Sequence, residues 1–163
     1  MARHITLTLD KRGVSCTAVL LDEEAPRTAN AVWDNLPLSA PVFHGKYARN
    51  EIYALHDQFA DTDPGSENTT ITPIPGDVCW FTFSGDVLGN PAYGYEDEQR
   101  EKGAIIDLAI FYGRNNLLIN GDQGWVPGNV FASIVEGLPE MAAACQDVWM
   151  GGARGETLTI ARA

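Results

Sequence analysis

The 163-residue chain is short of cations: 11 Lys and Arg stand against 22 Asp and Glu, a net charge of −11. Nucleic acid and anionic membranes are held by clustered Lys and Arg that release counterions, so neither is an expected partner. Long apolar runs are missing as well. None approaches the roughly 18 residues a membrane helix needs. The opening Met1-Ala2-Arg3-His4, followed by alternating Ile5, Leu7 and Leu9, has no apolar block of a secretion signal, so a cytoplasmic location is expected. Cysteine is scarce. Cys16, Cys79 and Cys145 are far apart, with no Cys-x-x-Cys pair and no zinc spacing, and each sits in an apolar run; they read as buried free thiols. No Gly-x-x-x-x-Gly-Lys or Gly-x-Gly-x-x-Gly loop offers a phosphate cradle, and no serine sits on a Gly-x-Ser-x-Gly elbow. Repeats, heptads and low-complexity tracts are absent too, and no cofactor is expected.

What is present is ordinary globular composition, 45% hydrophobic and 20% charged. The length fits one domain over residues 1–163 that buries about two-thirds of its unfolded surface. Residues 4–10 alternate Ile5, Leu7 and Leu9 with threonines, the period of a half-buried strand; a turn at Lys11-Arg12-Gly13 leads to a second strand over 14–21. Ala25, Ala29, Val32 and Leu36 recur at helical spacing, with Pro26 in the first turn and Pro37 as the stop. Strands are predicted over 42–47, 50–55, 77–83, 104–112, 115–120, 130–135 and 157–161. Two polar inserts, 61–68 and 89–103, interrupt them, the second with Tyr93, Tyr95 and a charge run over 96–102. Leu138, Met141, Ala142, Cys145, Val148 and Trp149 make a second helical stripe between Pro139 and Gly151-Gly152. About eight strands with one early and one late helix fit a mainly β fold, a closed eight-stranded antiparallel barrel capped by two α-helices. Trp80, Trp125 and Trp149 read as core or end-cap residues.

Ala25-Pro26-Arg27-Thr28-Ala29-Asn30 resembles the Pro-x-Thr-x-x-Asn helix start of the cyclophilins, and residues 129–137 resemble their Val-Phe-Gly-x-Val-x-x-Gly strand and turn. The resemblance implies a cyclophilin-like barrel. It also locates the departures. The family's Phe-His-Arg motif, whose arginine is thought to polarise the prolyl amide, meets Phe43-His44-Gly45 here. The Gln-x-Gly-Asp motif finds only Tyr53-Ala54-Leu55-His56-Asp57. The chain is closer to bacterial cyclophilin-like proteins of uncharacterised activity, whose strand signature Tyr47-Ala48-Arg49-Asn50-Glu51-Ile52-Tyr53 resembles. The missing arginine and glutamine imply weak or no prolyl isomerase activity, since such a catalyst depends on electrostatic polarisation.

Arg49 and Glu51, two apart, would share one strand face and grip a zwitterionic or amide-bearing ligand, with Tyr53 walling the same pocket. The plainer alternative is an exposed cross-strand pair worth under about 1 kcal/mol. Tyr112-Gly113-Arg114-Asn115-Asn116 follows the strongest strand at the barrel rim, where Arg114 stands as a substitute for the lost arginine and Asn116 as an amide donor; a water-facing turn is the alternative. His44, Arg49, Glu51, Tyr53, Tyr112, Arg114 and Asn116 are therefore the ligand-binding candidates. His44 and His56 with Asp57, Asp61 or Asp63 could approach a metal set, but Asp61 to Gly65 lacks the later calcium-loop ligands and reads as turn chemistry, so no metal is expected. The leading expectation is a protein that binds a small molecule or peptide in a barrel-side groove. The alternatives are an isomerase or small-amide enzyme with a relocated arginine, and a homo-oligomer built through the acidic inserts or a strand edge.

Overall fold

The computed structural model describes residues 1–95 and 102–163, so the predicted charge run lies outside the described residues apart from Lys102. In chain order the elements are β1 (His4–Leu9), β2 (Val14–Leu20), α1 (Pro26–Trp33), β3 (Leu38–His44), β4 (Glu51–Asp57), β5 (Thr69–Thr70), β6 (Asp77–Ser84), α2 (Gly85–Leu88), a 3-10 turn (Pro91–Tyr93), β7 (Ala104–Phe111), β8 (Ile119–Asn120), β9 (Gly124–Trp125), β10 (Gly128–Glu136), α3 (Leu138–Gly151) and β11 (Thr157–Arg162). Eight of the strands are hydrogen-bonded in the order β2-β1-β11-β3-β4-β7-β6-β10, and β10 pairs back onto β2. Every pairing is antiparallel. These eight strands therefore form a closed barrel, with the short β5 added against β10. β10 shifts register twice, between Val130 and Ala132 and between Ile134 and Glu136, and such bulges bend a strand around a small barrel.

The alternation read in the sequence fills the interior. Ile5, Leu7 and Leu9 are fully buried, and they share one core with Cys16, Ala18, Ile52, Val78, Leu108, Ile110, Leu158 and Ile160. The two longer helices close this core with Ala29 and Val32 from α1 and Met141, Cys145 and Val148 from α3. The helix α1 lacks a side-chain cap of its own, since Ala25 holds the N-cap position. Glu67 supplies the missing acceptor: its carboxylate takes the Thr28 amide (2.8 Å), the Thr28 hydroxyl (2.8 Å) and the Arg27 amide (3.2 Å). Those bonds hold Glu67 below the usual carboxylate range despite its burial. The first polar insert is thus tied down by the helix it serves.

Several expectations differ. The strand expected over 42–47 runs instead over Leu38–His44, and the first helix ends at Trp33, short of Leu36. The stretch 115–120 does not form a full strand; only Ile119–Asn120 pairs, with Gly124–Trp125. The insert 89–103 is preceded by a helical turn, Gly85–Leu88, and contains a 3-10 turn, Pro91–Tyr93, in its described part. Trp80 is core, but Trp125 and Trp149 are 56% and 58% exposed, because each lies on the outer side of its element. All three cysteines are free and buried. Among the described residues no helix is long and apolar enough to cross a membrane.

One side of the barrel carries a second layer. Strand β7 is buried on both faces, and the outer sides of β4, β6 and β7 bear Tyr53, Cys79, Phe81, Ala109 and Phe111 under Leu118 and Val126 of the 113–127 loop. A strand covered on both faces reads as a continuous apolar run, as Ala-Ile-Ile-Asp-Leu-Ala-Ile-Phe does, with one exception: Asp107.

Candidate functional site

Asp107 pairs with Leu55 across the β4–β7 ladder, and Glu51 pairs with Phe111. By strand parity Glu51, Tyr53, Leu55, Asp107, Ala109 and Phe111 all lie on the outer, doubly covered face. Both carboxyls are buried, at 6% exposure each. They line the same cavity of about 230 Å³, roofed by the 88–95 segment and the turn at 120–123. Its walls are largely aromatic: Tyr47, Tyr53, Tyr93, Tyr95 and Phe83, with Leu55 and Leu88. The rings are mutually braced. Phe43 stacks on Tyr53 at 5.5 Å and meets Tyr95 edge-on at 5.3 Å, Tyr93 lies parallel to Tyr95 at 6.3 Å, and the hydroxyls of Tyr53 and Tyr95 are hydrogen-bonded. Lys46 latches the mouth. Its ammonium donates to the Tyr93 carbonyl and stands 5.4 Å from the centre of the Tyr95 ring.

The electrostatics are unusual for a structural interior. Among the described residues no Lys, Arg or His forms an ion pair with Glu51 or Asp107. Asp107 Oδ1 is buried without a hydrogen-bond partner. Removal from water disfavours the charged form, so burial raises Glu51 to about 8; Asp107 is raised by its own burial and further by the charge of Glu51. Burial also lifts the Tyr53 and Tyr95 hydroxyls. Gly45 makes room for this arrangement. A Cβ there would sit 2.6 Å from Glu51 Oε2 and 3.0 Å from Glu51 Cβ.

The candidates from sequence are distributed over three clefts. Glu51 and Tyr53 line the cavity of about 230 Å³. Arg49 is not a strand neighbour of Glu51; it occupies an exposed turn at φ 80°, before β4 begins, and lines an open cleft of about 340 Å³ with Tyr112 and Trp149. Left-handed backbone breaks the two-residue alternation on which the shared face depended. His44 braces that cleft: Nδ1 donates to the Gly45 carbonyl at 2.9 Å, which leaves Nε2 to accept from the Tyr112 hydroxyl at 2.6 Å. Burial lowers its pKa, consistent with a neutral ring. Arg114 and Asn116 line a third cleft beside Thr72 and Pro73. There Arg114 is exposed. Asn116 is buried and is a backbone clamp, accepting from the Asn50 amide and donating to the carbonyls of Pro73 and Gly113. His56 faces the barrel interior, where burial lowers it to about 4. Among the described residues no three His, Cys, Asp or Glu side chains gather as a metal set.

Asp107, Lys46 and Asn120 escaped the sequence reading as site residues. One signal was available: Asp107 is the only charged residue within an otherwise apolar strand.

Residues 7–160 match the family described as protein of unknown function (DUF3830), and the chain belongs to that family. Two solved structures share the fold. McbB, solved in complex with tryptophan, superposes with a TM-score of 0.60 at 19% identity over 97% of this chain. The chain spans only 44% of McbB's length. The hypothetical protein AF2241 from Archaeoglobus fulgidus superposes with a TM-score of 0.54 at 20% identity, covering 99% of this chain and 95% of that one. Among curated proteins nothing matches.

Proposed function

For this DUF3830 member we propose that the barrel is a small-molecule receptor, its ligand held in the pocket between the β4–β7–β6 face and the overlying loops. The observation that carries this reading is a cavity of about 230 Å³ whose lining includes two buried carboxyl residues, Glu51 and Asp107, with no ion-pair partner among the described residues. An interior carboxyl left unpaired costs several kcal/mol of desolvation, and a ligand that bonds it offsets that cost. McbB was solved with tryptophan, and a small ligand in a protein of this fold accords with the reading.

The barrel itself is taken to be cyclophilin-like, with the prolyl isomerase machinery lost. Gly45 follows Phe43-His44, and its missing side chain leaves space for the Glu51 carboxyl rather than for an arginine. Arg49 and Arg114 line separate clefts, so neither has the position a relocated catalytic arginine in the Glu51 pocket requires.

An NMR screen of uncharged and charged fragments against isotope-labelled protein tests the receptor reading. Hits are expected to shift amides of Tyr53, Asp107 and Tyr95 and to lose binding in Leu55→Trp, which fills the cavity. Hits mapping elsewhere, or indifferent to that substitution, would refute it. A prolyl cis/trans assay on a short peptide is expected to show no turnover above background; efficient turnover would overturn the loss of isomerase chemistry.

A further inference from the structure

The pocket combines two features that select the same ligand chemistry. Glu51 and Asp107 both line the cavity, each buried, with no cation of the described residues paired to them. Much of the remaining wall is aromatic, from Tyr47, Tyr53, Tyr93, Tyr95 and Phe83, with Lys46 and the polar turn at 120–123 at its rim. A bare metal ion would want several more oxygen donors in a compact shell; Asp122 lines the same cavity, but it does not gather with Glu51 and Asp107 into a metal set, and no other such set exists among the described residues. An anion would face two carboxyls. An organic cation meets the carboxyls with its charge and the rings with its body. The aromatic wall already holds one ammonium, that of Lys46 over Tyr95.

We infer that the pocket is selective for a small protonated amine on an apolar or aromatic body, with its ammonium facing Glu51 and Asp107 and its body against the tyrosine wall. The inference rests on the receptor reading above and narrows it to a ligand class. Size bounds the body. A cavity of about 230 Å³ exceeds the roughly 150 Å³ that accommodates benzene, so a single ring with a two- or three-carbon amine fits and a larger peptide does not.

Binding carries a proton signature. Burial pushes Glu51 toward its neutral form, and an ammonium at its oxygens favours the carboxylate, so one proton leaves to solvent for each amine bound. The surrounding groups are Asp107 on β7, Tyr53 on β4, Cys79 on β6, Tyr47 and Lys46 before β4, Tyr93 and Tyr95 in the roof, and Asp122 at the turn. Burial pushes the Tyr47, Tyr53 and Tyr95 hydroxyls and the Cys79 thiol upward, leaving the two carboxyls to supply the proton.

Isothermal titration calorimetry with phenethylamine, 2-phenylethanol and 3-phenylpropanoate isolates the charge at constant ring. The amine is expected to bind at least about tenfold tighter than the alcohol, the margin of a charge-assisted over a neutral hydrogen bond, and the acid weakest. Amine affinity should rise about tenfold per pH unit between pH 6 and 7.5, with heats that vary with buffer ionisation enthalpy as one proton is released. Glu51→Gln with Asp107→Asn, which preserves shape, should abolish the preference for the amine while keeping the alcohol's affinity. Equal binding of amine and alcohol, or a preference surviving in the double variant, overturns the ligand class and leaves the receptor reading standing. Failure of all three probes to bind also overturns the class, and the fragment screen then decides the receptor reading separately.

Discussion

Replacing Glu51 with glutamine should make the protein more stable above neutral pH, and the gain can be worked from the site. Glu51 has an ordinary pKa of 4.5 when unfolded and about 8 when folded, because burial penalises its charge. Between those values the folded state holds a proton that the unfolded state has released. Stability from this group is therefore fully present below pH 4.5 and declines as pH rises toward 8, by about 1.4 kcal/mol per pH unit. Two histidines oppose it lower down. His56, lowered to about 4, and His44, also lowered by burial, contribute stability that is complete above pH 6.5 and lost as pH falls. Glu67 and Glu156, held low, change only below pH 4.5. The window from pH 6.5 to 8 is thus left mainly to the raised carboxyls, Asp107 acting with the same sign as Glu51. Over those 1.5 units the Glu51 contribution falls by about 2 kcal/mol. Urea unfolding at pH 6.5, 7, 7.5 and 8 should show the native midpoint falling, while Glu51→Gln stays flatter, so that the two diverge by about 2 kcal/mol across the window. Parallel pH profiles would refute the claim that Glu51 is buried uncharged.

Three further outcomes follow from the same geometry. Gly45→Ala places a methyl 2.6 Å from Glu51 Oε2 and should cost about 1–3 kcal/mol in urea unfolding, with most of that recovered in a Glu51→Ala background. Asn116→Ala orphans the Asn50 amide and the Pro73 and Gly113 carbonyls and should cost about 2–4 kcal/mol by the same assay, without altering ligand binding in the Glu51 pocket. Glu156 is fully buried and accepts from the amides of Lys11, Arg12 and Thr157 and from the Arg12 guanidinium; Glu156→Gln should cost about 2–4 kcal/mol at pH 7. Those bonds hold Glu156 low, so its contribution is present above pH 4.5 and lost as pH falls, and the two proteins should converge toward pH 3 in thermal melts.

The barrel was legible because its strands bury one face each. Ile5, Leu7 and Leu9 alternate with threonines, and the second helical stripe ends at Gly151-Gly152 as α3 does, while α1 ends at Trp33, before Pro37. The site was less legible for a related reason. Periodicity reports one buried face; on β4, Ile52 and Ala54 face the core while Glu51 and Tyr53 face a second layer contributed by loops distant in sequence. Nothing in 88–95 or 113–127 announces that it folds over β7. Arg49 and Glu51 look like a pair until the backbone at Arg49 turns left-handed. Tyr112 and His44 do meet, but across a different cleft from Glu51.

A buried carboxyl with no counter-charge is a poor way to stabilise a fold, and here two share one cavity. If stability alone shaped this face, leucine or glutamine at 51 and alanine or asparagine at 107 would serve better, since the neighbours Leu55, Phe83 and Ala109 are already apolar. The chain instead leaves residue 45 without a side chain so that Glu51 fits, and it braces Tyr53, Tyr95 and Phe43 into one wall beside it. Local cost, steric accommodation and a preorganised wall converge on one cavity, whereas the exposed Arg49 and Arg114 have no comparable support. That convergence distinguishes a site from a packing defect: a defect would be relieved by Glu51→Gln with no loss of ligand selectivity, while a site gains stability and loses its preference together.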